Sequence, residues 1–102
     1  MTNQLNLVTE KIVARVRDKP PFGHKVKLVL QNIGVVYMDG TGNQNTISNN
    51  DLDADLILET TYAVMQEINT GSLDAFSAYM QGKLTIQGDQ SIAVAFGALI
   101  ES

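Results

Sequence analysis

The chain has 102 residues, enough for one hydrophobic core and no second. Apolar side chains make up 44% of it and charged ones 18%, which excludes a disordered tail, a collagen-like repeat and a coiled coil. A formal charge of −4 argues against wrapping nucleic acid, and with no cysteine and one histidine there is no disulfide, thiolate metal site, thiol nucleophile or two-imidazole site.

In chain order, Leu5, Val8, Ile12 and Val16 recur at helical spacing with Glu10, Lys11, Arg15 and Arg17 between them. This predicts an amphipathic helix, capped by Thr2 or Asn3 and stopped before Pro20-Pro21. After Gly23 the period changes to two: Val26, Leu28 and Leu30 alternate with Lys25, Lys27 and Gln31, although Val29 falls on the polar side. That is a strand with one buried face. Asn32-Ile33-Gly34 turns the chain, and Val35-Val36-Tyr37-Met38 returns as a second strand. A polar loop over residues 39–45 precedes a short edge strand at Thr46-Ile47-Ser48, which Asn49-Asn50-Asp51 breaks. Ala54, Leu56 and Leu58 then alternate with Asp55, Ile57 and Glu59 as a fourth strand. From Thr60 the period is helical again, with Val64, Met65 and Ile68 on one side and Gly71 placed as a C′ glycine. A short helix follows over roughly Leu73 to Met80, ended by Gly82, then a strand over Lys83 to Gln87 and a last helix capped by Asp89. Alternating strands leave one face of the sheet wet, and helices must cover the other. The result is an α+β two-layer domain occupying 1–102 as a single unit.

Residues 92–100 form nine consecutive positions without a polar side chain. A helix apolar all round wants contact all round, yet nine residues reach less than half of a bilayer core. Such a helix is a buried core element, a lid over an apolar ligand, or an interface with a partner, a second copy or a membrane surface. Gly97 weakens it and leaves its end easier to move.

Charge is uneven: residues 1–30 carry six basic side chains against two acids, and residues 31–102 carry Lys83 against nine acids. The basic stretch reads either as a solvated helix face plus the outer face of a strand, paired with acids elsewhere in the chain, or as a face making transient contact with an anionic membrane surface or an acidic partner. No basic leader with an apolar run, no membrane-spanning stretch and no peroxisomal carboxyl-terminal address stands in the sequence, so the expected location is cytoplasmic. Asp51, Asp53 and Asp55 alternate, but match no calcium-loop spacing and read as the outer face of a strand with the loop leading into it. Asp39-Gly40-Thr41-Gly42 lacks the Lys-Ser/Thr of a phosphate loop, and His24 has no nucleophile or acid in a recognisable arrangement. No catalytic residue, metal or cofactor is therefore expected, and the protein is not read as an enzyme.

The segment Met80-Gln81-Gly82-Lys83-Leu84-Thr85-Ile86-Gln87-Gly88-Asp89 matches Met-x-Gly-Lys-Leu-x-Ile-x-Gly-Asp at every fixed position. With Ala54-Asp55-Leu56-Ile57-Leu58, Asn69-Thr70-Gly71 and Asp74-Ala75-Phe76, it resembles the sterol carrier protein 2 family of lipid-binding domains. The proline common before the Ala-Phe helix is replaced by Leu73-Asp74, and Tyr37 is the aromatic available where the family often has tryptophan. The resemblance implies a five-stranded, mostly antiparallel sheet covered on one face by helices, with an apolar tunnel between the layers for a fatty acid, acyl-CoA, phospholipid or sterol-like guest. Carried over by residue, it implies that Phe76, Met80, Leu84, Ile86, Ile92, Phe96, Leu99 and Ile100 line the tunnel, with Met65 adapting to guests of different shape. Lys83 is expected at the surface, or as an anchor for a phosphate or carboxylate.

These readings converge on non-catalytic carriage of an apolar ligand in a cavity gated by the C-terminal helix. The alternative is an interaction or accessory module, for instance in isoprenoid-quinone or lipid synthesis, whose last helix packs on a partner or on a second copy as a homodimer.

Overall fold

The computed structural model describes residues 3–101. Among them run α1 (Gln4–Val16), β1 (Lys25–Leu30), β2 (Gly34–Asp39), β3 (Thr46–Ser48), β4 (Leu56–Thr60), α2 (Tyr62–Thr70), α3 (Ala75–Met80), β5 (Thr85–Gly88) and α4 (Gln90–Glu101). The five strands form one sheet in the order β3-β2-β1-β4-β5. β1 pairs antiparallel with β2 and parallel with β4, and the outer pairs are antiparallel, so the sheet is mixed and mostly antiparallel.

Each helix starts where a side chain can take up an otherwise unpaired amide. Asn3 caps α1 by accepting from the Leu5 N–H at 2.8 Å, while Thr2, the other expected cap, lies outside the described residues. The helical period expected from Thr60 begins slightly later. Thr60 is the last residue of β4, and Thr61 caps α2 through Val64 N–H at 3.2 Å. Gly71 closes α2 in the left-handed region (φ 83°), where a side chain would be strained. Asp74 caps α3, so that helix starts at Ala75 rather than near Leu73.

Val26, Leu28 and Leu30 of β1 are buried in alternation, as are Leu56 and Leu58 of β4. Against this face pack Val8, Ile12 and Val16 of α1, Met65 of α2, Ala78 of α3 and Phe96 of α4. β2 departs from alternation, with Val36, Tyr37 and Met38 all buried. The reason is the loop before β4, which folds over the outer face and takes the Tyr37 hydroxyl on the Asp53 carbonyl at 2.8 Å.

That loop also explains the alternating aspartates. β4 starts only at Leu56, so Asp51, Asp53 and Asp55 share no strand face. Asp51 pairs with Lys27 Nζ at 2.8 Å, and Asp55 accepts from the Lys25 N–H at 3.0 Å, pinning the start of the parallel pair. Gly88 closes the other edge: a Cβ there would sit 2.5 Å from the Asp55 carbonyl oxygen, so the strands meet only with glycine.

Candidate functional site

Between the sheet and the helices lies a hollow of about 360 Å³. Its floor is Leu28, Leu58 and Thr60 from the sheet, with Leu84 and Ile86 at the β5 side. Met65 and Ile68 of α2 form one wall, Ala75, Phe76 and Tyr79 of α3 another, and α4 lies across it with Ala93, Phe96, Gly97 and Ile100 facing in. The polar groups at its surface are few and engaged. Thr60 Oγ1 donates to the Lys83 carbonyl at 2.8 Å, and Asp74 accepts from the Ser77 N–H and hydroxyl, each at 2.8 Å. These bonds hold the Asp74 carboxyl below the usual aspartate range. A compartment with apolar walls and preoccupied polar groups favours a guest by removing hydrocarbon from water, not by polar grip.

Of the residues expected to line the tunnel, the hollow brings together Met65, Phe76, Leu84, Ile86, Phe96 and Ile100. Met80, Ile92 and Leu99 are not in its lining. The helical period gives the reason. On α4 the lining positions are 90, 93, 94, 96, 97, 98 and 100, so Ile92 and Leu99, seven residues apart, share the other side and pack on the core there. On α3, Ala78 is fully buried while Phe76 and Met80, four residues apart, are 69% and 67% exposed. The Phe-Met stripe thus faces outward, and Phe76 reaches the hollow only from its rim. Lys83 is exposed and outside the lining. The floor residues Leu28 and Leu58 were legible as inward strand positions, whereas the contributions of Ala75, Tyr79 and Gln90 depended on helix rotation.

The last helix is not enclosed on all sides. Phe96 is 3% exposed, but Val94 is 72% exposed, and Ala95 and Ala98 are exposed beside it. Its carboxyl end is tied to α1, where Arg15 donates to the Ile100 carbonyl and Lys19 Nζ to that of Leu99 at 3.0 Å. With Lys27 paired to Asp51 and Arg17 Nε 3.9 Å from Asp18, four of the six basic side chains in residues 1–30 have partners among the described residues.

A second chamber of about 370 Å³ adjoins the first, sharing Ile68, Asp74 and Ile100 with it. Arg15, Asn69, Thr70 and Gly71 make it more polar, and the buried Nδ2 of Asn69 has no hydrogen-bond partner among the described residues. His24 stands edge-on to Phe22, ring centroids 5.6 Å apart, and belongs to neither lining. Among the described residues no cluster of three or more His, Cys, Asp or Glu could hold a metal ion, and no helix is long and apolar enough to cross a membrane.

The sequence profile of the SCP-2 sterol transfer family matches residues 10–101. Among solved structures, sterol carrier protein 2 of Aedes aegypti in complex with the C16 fatty acid palmitate is 23% identical with a TM-score of 0.76, covering 98% of this chain and 96% of its own. Sterol carrier protein 2 like 2 of the same organism is 19% identical at TM-score 0.76, over 93% of this chain and 94% of its own. The UbiJ-SCP2 ubiquinone synthesis protein is 14% identical at TM-score 0.71, over 94% of this chain and 87% of its own. At these identities the likeness is one of fold. No curated protein matches the chain.

Proposed function

The chain belongs to the SCP-2 sterol transfer family, whose business is lipid binding or transfer, and from that premise we propose that it carries a fatty acid or a similar single-chain amphiphile in the hollow beneath α4. The observation that carries the proposal is the hollow itself, which Leu28, Leu58, Met65, Leu84, Ile86 and Phe96 wall with hydrocarbon. Each methylene moved there from water contributes about 0.8 kcal/mol, so an acyl chain binds without a dedicated polar contact. The palmitate held by the Aedes aegypti protein of the same fold supports a chain-like guest. Met65, 4% exposed and unbranched, lets the wall accommodate chains of different shape. Displacement of α4 admits and releases the guest, and no bond is made or broken. The whole chain acts as one unit, at work in the cytoplasm.

A second reading has its own observation. The exposed apolar surface of α4, with Ala95 outside the hollow's lining and Val94 and Ala98 at its rim, would suit a protein partner or a second copy, as in an accessory module that holds a greasy substrate for other enzymes. The fold shared with the UbiJ-SCP2 ubiquinone synthesis protein favours that possibility.

Native mass spectrometry of freshly purified protein separates the two. A carrier shows adducts of lipid mass that disappear on Phe96→Asp, which sets a charge against the apolar wall. A uniformly unliganded mass that also refuses added palmitate overturns the carrier reading, and a stable complex or dimer in its place establishes the module.

A further inference from the structure

We propose that the hollow loads and empties through the seam between α3 and the amino-terminal half of α4, and that the carboxyl end of α4 is its fixed edge. This rests on the carrier reading and adds where the cargo passes.

The two ends of α4 are held differently. At the carboxyl end, Arg15 and Lys19 stand one turn apart along the chain and donate to the carbonyls of Ile100 and Leu99, the latter at 3.0 Å. Those carbonyls lie in the last turn, where the helix leaves its acceptors unpaired and its dipole is negative, so two cations are the partners that bind there best. One turn inward, Phe96 is 3% exposed and meets Phe22 edge-to-face, ring centroids 6.0 Å apart. Lifting this end would break two charge-assisted hydrogen bonds and pull a buried aromatic ring from the core.

The seam with α3 offers less resistance. Its polar tie is a neutral, exposed hydrogen bond from Gln90 Nε2 to Tyr79 Oη at 3.2 Å, which water replaces easily. Phe76 and Val94 line the hollow while remaining 69% and 72% exposed. Side chains that touch both the cavity and the solvent mark where the two meet. An alkyl chain crossing there passes between the apolar side chains of Phe76 and Val94 and meets no charged group of the seam's polar tie, whereas at the other end it would pass Arg15 and Lys19. Gating by α4 is thus a parting of its first two turns from α3 and not a detachment of its tail.

The chain has no cysteine, so a Phe76→Cys/Val94→Cys variant can be bridged across the seam by a short bifunctional maleimide without competing thiols. Loaded with cis-parinaric acid, the bridged variant should release the probe to phosphatidylcholine vesicles at least ~10-fold more slowly than the same variant before bridging. Lys19→Gln, which loosens the opposite end, should leave release within about twofold of the unaltered protein. Equal release before and after bridging overturns the port, and so does a large acceleration by Lys19→Gln. Equilibrium titration of the unaltered protein distinguishes the two levels. If cis-parinaric acid is not taken up at all, the carrier reading and the port fall together. If it is taken up but bridging is without effect, only the port falls.

Discussion

Thr60 shows how one side chain serves both fold and hollow. It ends β4, is 1% exposed, and lies in the cavity floor, where an unpaired hydroxyl would be costly. Donation to the Lys83 carbonyl removes that cost and ties β4 to the turn that precedes β5. Thr60→Val keeps the shape and deletes the donor, leaving a carbonyl short of a partner. The expected loss is about 1–2 kcal/mol of unfolding free energy, measured by urea denaturation. An unchanged midpoint would mean that the Lys83 carbonyl finds another donor. At this scale the sequence was readable in part: a threonine closing an alternating strand could be seen, its acceptor 23 residues away could not.

Helix caps are the local devices that chain order reveals best. Asp89 was identifiable as the start of α4 because it stands just ahead of its helix after a break. Asp74 falls inside the helix expected from about Leu73, and only the structure shows it as the cap of α3. Each carboxylate accepts from a backbone N–H and a hydroxyl, of Ser77 for Asp74 and of Ser91 for Asp89. These bonds stabilise the charged form and lower both pKa values, the Ser77 N–H contributing most to Asp74 and the Ser91 hydroxyl most to Asp89. A lowered native pKa means that the unfolded chain binds the proton more tightly. The stabilisation is therefore complete above the ordinary aspartate pKa and disappears as pH falls through the depressed native values. Calorimetry across the acid range should show the melting temperature falling in that window. Asp74→Asn/Asp89→Asn, which still caps but does not titrate there, should fall less steeply. Equal slopes would assign the acid sensitivity to other carboxylates. Rotation of an element about its axis was less accessible. Phe76 and Met80 share a stripe that apolarity alone assigns to the interior, yet Ala78 occupies the buried side of α3. A six-residue helix that includes Ala75, Ser77 and Ala78 offers too few large side chains for the pattern to say which face is inward.

For the whole molecule, the hollow is space that a close-packed interior would fill. Its walls make many contacts to one another and fewer across the gap, so a guest that completes those contacts should stabilise the native state by mass action. With a fatty acid at one hundred times its dissociation constant, the gain is about 2.7 kcal/mol. For a domain of this size that corresponds to an increase in melting temperature on the order of 10 °C. Differential scanning fluorimetry with palmitate checks it, with a short-chain acid such as acetate as the control that should move nothing. A shift with acetate as large as that with palmitate would locate the effect at a polar site such as the Arg15 chamber instead of the hollow.

By itself the sequence determined the local periods, the breaks, the caps of the first and last helices, the two-layer class and the family motif at residues 80–89, because these depend on neighbours within a few positions along the chain. It also identified α4 as the element with the most apolar surface to place. Tertiary structure alone decided that the hollow exists, that Met80, Ile92 and Leu99 stand outside it, and that Arg15 and Lys19 hold the end of α4. Those features arise where segments up to 85 residues apart meet, and their geometry follows from the packing of every layer at once.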